Sequence, residues 1–302
     1  MGNAKFALGD LDGALAFAEQ RLKIEEQLAA SHDSEDLRSE TWQTLINLGV
    51  IKIEVGDDGS AVDYEERALA MSQTLLEKNP ANLRMRRRVA VSHDWLGKAL
   101  MLEGKYAEAG SEFEKAKGIW EQLAANDPNN TDFQRFIATT DGTWCACLAH
   151  AGLLSQARPH CQKTIVVAEG MMKSDKNNVQ AVEDLASSYD GMGFVLYLMH
   201  SPRAAMGFER RADSLYRDAT ARDPESIENG VDYARALMMY GRIETDLHRP
   251  ELARENFQRA QGLLERCGEH NPKSRYILHS LDEVRAEIKA LPNDTVPIIP
   301  EQ

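Results

Sequence analysis

The densest grouping of reactive side chains in this sequence is Cys145, Cys147, His150, His160 and Cys161. Thiolates and imidazoles brought together tetrahedrally would hold zinc, but the spacing does not follow the paired-ligand patterns of known zinc sites. A second grouping, Arg84, Arg86, Arg87 and Arg88, could dock a phosphate or an acidic segment through charge-assisted hydrogen bonds. Its competing reading is intramolecular pairing with an acidic chain. The sequence has no Gly-x-Ser-x-Gly, no His-Glu-x-x-His and no glycine-rich phosphate loop, so it shows no catalytic constellation. We expect no enzyme activity from this region, no cofactor and no metal. Acid pairs such as Asp57-Asp58 and Glu65-Glu66 read as solvated helix starts, where negative charge meets the positive end of the helix dipole.

These residues must be positioned by a repeat. Gly49, Gly97, Cys145, Gly193 and Gly241 stand 48 residues apart, as do Ala61, Ala109, Ala157, Ala205 and Ala253. Two further columns keep the same period: Ala68, Ala116, Thr164, Ala212, Ala260 and Pro80, Pro128, Lys176, Pro224, Pro272. Each unit reads as two helices. Val89, Leu96 and Leu100 lie at helical spacing in the first, and Tyr106, Ala109, Phe113, Ala116, Trp120 and Leu123 in the second. A mid-helix glycine costs about 1 kcal/mol against alanine, so its column implies close helix–helix approach. A turn column, Gly9, Gly56, Gly104 and Gly152, suits the left-handed residue that ends a helix. His200 and His248 replace it in the last units, where Pro202 and Pro250 follow near the start of the second helix.

The columns bound the chemistry further. Cys145 falls in the glycine column, and Cys147 aligns with Ile51, Ala99, Val195 and Ile243, a slot for a small buried thiol. Four cysteines in 302 residues predict no disulfide framework, and the cytoplasm is the default compartment. With 35 basic and 48 acidic residues the net charge is −13, which argues against binding nucleic acid, where Lys and Arg must neutralise phosphates. The longest apolar stretch, near Cys145 to Leu154, is far short of the roughly 20 residues that span a bilayer.

Small residues 12 and then 7 apart (Gly49, Ala61, Ala68) with a closing Pro80 resemble the tetratricopeptide repeat, whose unit is about 34 residues. The surplus here divides into about one heptad per helix, which lengthens the hairpin with little rotation. This elongated form is similar to arrays in bacterial signalling proteins, often C-terminal to a serine/threonine kinase domain. Arg87-Arg88-Val89-Ala90-Val91-Ser92-His93 and Glu121 to Pro128 carry the likeness.

The resemblance implies an all-α fold, a right-handed α-α superhelix over 1–291. Residues 1–32 would form a truncated first repeat that opens in mid-helix, as in the C-terminal part of a longer protein. Full repeats would span 37–81, 82–129, 130–177, 178–225 and 226–273, followed by a capping helix over 274–291 with a polar outer face and an extended tail over 292–302. The third unit departs from the pattern at Cys145, Thr164 and Lys176, so looser packing or a longer turn is expected from Asp175 to Asn178. In such arrays the first helices line the concave face. By column this places Asp94, Lys98 and Met101, then Asp190, Phe194 and Tyr197, then Met238, Arg242 and Thr245 in a groove; Phe194 and Tyr197 could equally be packed between helices. The slots Val50, Lys98, Ala146, Phe194 and Arg242 lack the family's carboxylate clamp. The implied role is a scaffold for a protein or peptide partner, with a ligand-sensing regulatory domain as the alternative.

Overall fold

The structure is a computed structural model that describes residues 10–175 and 178–292. It is all-α, and the helices form a superhelix of stacked hairpins. In chain order they are α1 (Leu11–Ser31), α2 (Glu35–Val55), α3 (Asp58–Lys78), α4 (Leu83–Leu102), α5 (Tyr106–Asn126) and α6 (Thr131–His150). They continue as α7 (Leu154–Ser174), α8 (Val179–Leu198), α9 (Pro202–Arg222), α10 (Ile227–Asp246), α11 (Pro250–His270) and α12 (Arg275–Ala290). Even-numbered helices are the first of each hairpin.

Each first helix starts on a side chain that can cap it. Ser34, Asn82, Asn130, Asn178, Ser226 and Ser274 accept hydrogen bonds from backbone N–H groups two or three residues on, replacing partners that a helix N-terminus lacks. The turns inside the hairpins are left-handed at Gly56, Gly104 and Gly152, with φ of 75°, 82° and 75°. His200 and His248 adopt the same turn, at φ 55° and 59°. The prolines that follow therefore do not replace the left-handed residue. Two histidines accept a conformation that costs an L-residue roughly 1–2 kcal/mol. Gly9, like the whole segment before Asp10, lies outside the described residues.

The glycine column does something other than bring two backbones together. A Cβ on Gly97 would lie 2.7 Å from Phe113 Cε1, and one on Gly241 would lie 2.5 Å from Phe257 Cε1. On Gly49 and Gly193 it would meet the carboxylates of Glu65 and Glu209 at 2.0 Å. Each glycine thus seats one large side chain from the second helix of its own hairpin, and Phe113, Phe257, Glu65 and Glu209 are all buried. In the third unit the same two positions are Cys145 and Cys161, which form a disulfide with Cα atoms 5.5 Å apart. The sequence predicted no disulfide framework and did not foresee this single bond, which explains why cysteine stands in this column: a covalent bridge replaces the seated side chain. Cys147 occupies the buried slot read for it. Of the third unit's closing turn, residues 176 and 177 lie outside the described residues. On either side of them α7 ends at Ser174 and α8 starts at Val179, the same interval as between α5 and α6.

Successive first helices (α2 to α12) touch one another as well as their hairpin partners, so they form the inner, more tightly curved layer. The curve closes. α12 returns to α2, Lys273 pairs with Asp12, Ser274 Oγ donates to Glu54 Oε2 at 3.3 Å, and Arg275 donates to the carbonyl of Gly56. This junction between the two ends is polar and largely exposed. On α12 the outer surface is not wholly polar, since Leu278 is exposed. Residues 293–302, the expected tail, lie outside the described residues.

Two outcomes are expected. Gly97→Ala should destabilise the fold by about 1–3 kcal/mol through overpacking against Phe113. Gly118→Ala in α5, where an added methyl meets nothing, should stabilise it by up to about 1 kcal/mol; chemical denaturation of both compares the signs. Second, because exposed ion pairs are weak and screened, Lys273→Glu with Arg275→Ala should raise the radius of gyration in small-angle scattering. Unchanged scattering would mean that the polar junction does not hold the ring.

Candidate functional site

The inner layer carries most of the residues placed in a groove by sequence, but they divide into structural and accessible groups. Asp94 is tied down: Trp120 Nε1 donates to it at 2.8 Å and Thr140 Oγ1 at 2.7 Å. Its pKa is raised to about 6 by burial, against the pull of those donors and of His93. It thus joins α4, α5 and α6 and does not face an open groove. Met101 is half-buried against the core. Met238 is 3% exposed and belongs to the core, a correction to its place in the groove: the face of α10 there turns into the hairpin. Thr245 is exposed, but its hydroxyl donates back to Gly241 O at 3.0 Å. Arg242 bonds Glu287 at 2.6 Å and lies 3.9 Å from Glu283, both on α12. Phe194 and Tyr197 are half-buried against the core, and Phe194 also meets the His150 ring at 5.4 Å.

Lys98 and Asp190 stand in a different setting, among charges that the column reading missed. Lys98 on α4 sits 4.8 Å over the Trp95 ring and makes no ion pair within 4 Å among the described residues. Its pKa is lowered by burial, a shift that Glu54 on α2 and Asp232 and Glu228 on α10 oppose. Residues separated by nearly half the chain therefore sense one another across the ring. Arg235 on α10 lies 5.1 Å over the Tyr276 ring of α12; burial works against its charge, but Tyr276, Asp232 and Asp190 raise its pKa overall. Asp190 is pushed up to about 6, chiefly by burial, with Arg235 opposing and Asp232 adding. Asp232, Glu54 and Glu183 are raised as well, by burial first and then by neighbouring carboxylates. Most of these groups keep some surface open to water while protein surrounds them on most sides. Glu183 lies two turns before Asp190 and Arg235 one turn before Met238, so the signal was present in the spacing.

The arginine cluster does not converge. Arg86 Nε donates to Pro80 O at 2.9 Å. Arg87 lies 5.8 Å over both Phe133 and Phe136. Arg88 is buried, donates to Ser39 and stacks 4.9 Å from Trp42, with burial lowering its pKa. Arg84 is exposed. Side chains one residue apart on a helix point about 100° apart, so Arg86, Arg87 and Arg88 go to separate partners. Nor does the Cys/His group come together. Besides the Cys145–Cys161 bridge, Cys147 Sγ contacts Tyr106 O at 3.5 Å. His160 Nδ1 lies 2.6 Å from Asp141, which Lys117 also bonds at 2.7 Å.

Two buried acids stand apart. Asp57 caps α3 as read, but Glu65 is not a solvated helix start: it is 0% exposed, and neither of its carboxylate oxygens has a hydrogen-bond donor. Burial alone raises its pKa well above the ordinary value. Glu209, three units on in the same column, is 1% exposed and raised by burial, by the Asp190 charge and by a hydrogen bond shared with Asp190. Among the described residues nothing supplies Glu65 with a hydrogen-bond partner.

Helical hairpins stacked through small-residue columns, with the first helices innermost, define the fold: this chain is a tetratricopeptide-like array. No family profile matches it. Its fold resembles the solved structures of BtubC from P. vanneervenii, at TM-score 0.56 and 14% identity over 97% of this chain and 98% of that one, and of apo RapI, at 0.55 and 13% over 95% and 96%. Aspartyl phosphate phosphatase F from Bacillus subtilis aligns at 0.53 and 13% over 97% of this chain and 72% of that one. In sequence it is 27% identical over 133 residues to a photosystem I assembly protein, Ycf3, of Prochlorococcus marinus, covering 44% of this chain and 67% of the relative. The Synechococcus protein of the same name matches at 26% over the same lengths. Among the described residues no helix is long and apolar enough to cross a membrane.

Raised carboxylate pKa values make stability depend on pH with a definite sign. A protonated buried glutamate contributes fully below the ordinary carboxylate pKa, about 4.3. Its contribution is lost as pH rises toward the folded-state pKa, at roughly 1.4 kcal/mol per pH unit per group. Glu65→Gln with Glu209→Gln should therefore gain stability relative to wild type between about pH 5 and 8. Parallel melting curves for the two proteins over that range would contradict it.

Proposed function

We propose that this chain is a protein-interaction scaffold whose inner wall holds a protein or peptide partner. The observation that supports it is a set of charged side chains on the first helices α4, α8 and α10: Lys98 rests on Trp95 and Arg235 on Tyr276, and among the described residues neither they nor Asp190 and Asp232 make an ion pair within 4.0 Å. Charges so placed give a partner something to neutralise. The array is read as one unit over 1–291, with full repeats over 37–81, 82–129, 130–177, 178–225 and 226–273 and 274–291 closing it. Similarity to proteins named for photosystem I assembly supports a role in handling other polypeptides. On the resemblance of the sequence, we place the array in the regulatory or recruitment part of a bacterial signalling protein linked to a kinase.

A second reading, a ligand-sensing domain, is favoured by the polar junction of Lys273, Ser274 and Arg275 with the first hairpins, which would let ligand binding open or close the ring. The scaffold reading predicts that a photo-crosslinking residue placed at Phe194 captures a defined partner in the source cells and that the same residue placed at Val166, on the outer surface, does not. Equal capture at both positions, or none at Phe194, would count against it.

A further inference from the structure

The hairpin that carries the covalent bond is also the one whose second helix starts worst. Among the described second helices, α7 alone has no side-chain cap hydrogen bond, no acidic residue in its first turn and no proline at its start, three devices that steady a helix N-terminus. Pro159 then falls inside the helix. It removes the N–H that would bond Ser155 O, and its ring crowds that carbonyl. At the same position of the repeat the other full units carry Asp63, Ser111, Gly207 and Glu255. Ser155, Gln156, Arg158 and Pro159 are exposed, whereas Cys161, two residues on, is 2% exposed and bonded to Cys145 of α6. Helix ends with so few supports open locally more readily than the body of the fold. Each such opening brings the Cys161 sulfur within reach of a dissolved thiol.

We infer that the Cys145–Cys161 bond is a reversible redox switch that decides whether the ring is closed. A single bridge beside two unpaired thiols, Cys147 and Cys267, is unlike the set of several bridges that staples small secreted domains. In the reducing direction the thiolate of a small thiol such as glutathione attacks Cys161 Sγ; the Sγ–Sγ bond breaks, and its electron pair leaves on Cys145 Sγ, which takes up a proton. A second thiol then attacks the mixed disulfide and releases Cys161. The chain gains two electrons and two protons, and two thiols become one disulfide; oxidised glutathione drives the same steps in reverse.

Once reduced, two thiols share a slot that elsewhere holds one side chain over a glycine. Gly191 of α8 backs that slot, a Cβ there lying 3.7 Å from Cys161 Sγ. Neither thiol can lock the register as Phe113 and Phe257 do in their hairpins, so the crossing of α6 and α7 loosens. A small rotation in the middle of the array displaces its two ends most. Those ends meet through the polar, largely exposed contacts of Lys273, Ser274 and Arg275 with the first hairpins, which have little strength to resist it.

The experiment equilibrates the full chain with oxidised glutathione or with excess reduced glutathione, then alkylates it in denaturant and weighs it. Two modified thiols are expected in the first case and all four in the second. On native samples prepared in the same way, hydrogen exchange over residues 154–161 should quicken by about tenfold or more on reduction, and the radius of gyration from small-angle scattering should rise. Cys145→Gly with Cys161→Phe rebuilds the seat of Gly97 and Phe113 and should stay protected and compact in either condition. Cys145→Ser with Cys161→Ser should behave as the reduced chain does in both, which covers the case of a phenylalanine variant that fails to fold. Four modified thiols after oxidised glutathione would overturn the inference, and so would two after reduced glutathione, which would make the bond a permanent staple. Equal exchange and scattering of the oxidised and reduced chains would overturn it as well.

Discussion

One contact recurs through the array and the rest of the structure depends on it: a residue without a side chain in the first helix of a hairpin receives a large one from the second. Gly97 with Phe113 and Gly241 with Phe257 are the apolar form. The contact fixes rotation and axial register between the two helices, because a side chain seated over a single Cα cannot slide by a turn without clashing. Alanines one turn earlier in the second helices, at 61, 109, 157, 205 and 253, are wholly buried and keep the same crossing close. With register fixed in every hairpin, the first helices present the same face inward each time, and a curved inner layer follows.

Chemistry in that slot varies more than the geometry does. Phenylalanine gains burial energy, on the order of 2–3 kcal/mol for such a side chain. Glutamate at 65 and 209 fills the same volume but must stay protonated. Where the slot lies beside the inner wall, as Glu209 lies beside Asp190, the packing device and the candidate binding surface become electrostatically coupled. Where it does not, as at Glu65, the acid stands alone.

Much of the fold was legible because it repeats. Glycines or their substitutes in one column, alanines in another at the same period, and prolines at the hairpin ends specify helices, turns and the inner layer without any three-dimensional information. The caps at Ser34, Asn82, Asn130, Asn178, Ser226 and Ser274 keep the same period and were equally readable. What escaped were events between distant parts of the chain. Ring closure joins residues more than 200 positions apart, and the charges that meet across it belong to different columns. Met238 was misplaced because the face of α10 that is open at Arg242 is covered one turn earlier. The cysteine pair was missed because Cys145 was read by its column and Cys161, in the partner column of Phe113 and Phe257, was not.

The bridge between Cys145 and Cys161 lies in the third hairpin of an otherwise noncovalent stack. Apart from the polar junction that closes the ring, each unit leans on its neighbours, so once that junction opens disorder spreads inward from the ends as successive pairs of helices peel away. A covalent staple closing a short loop lowers the entropy of the unravelled form. The third hairpin is then the one whose unravelled form is most restricted, so peeling that starts at either end meets added resistance there.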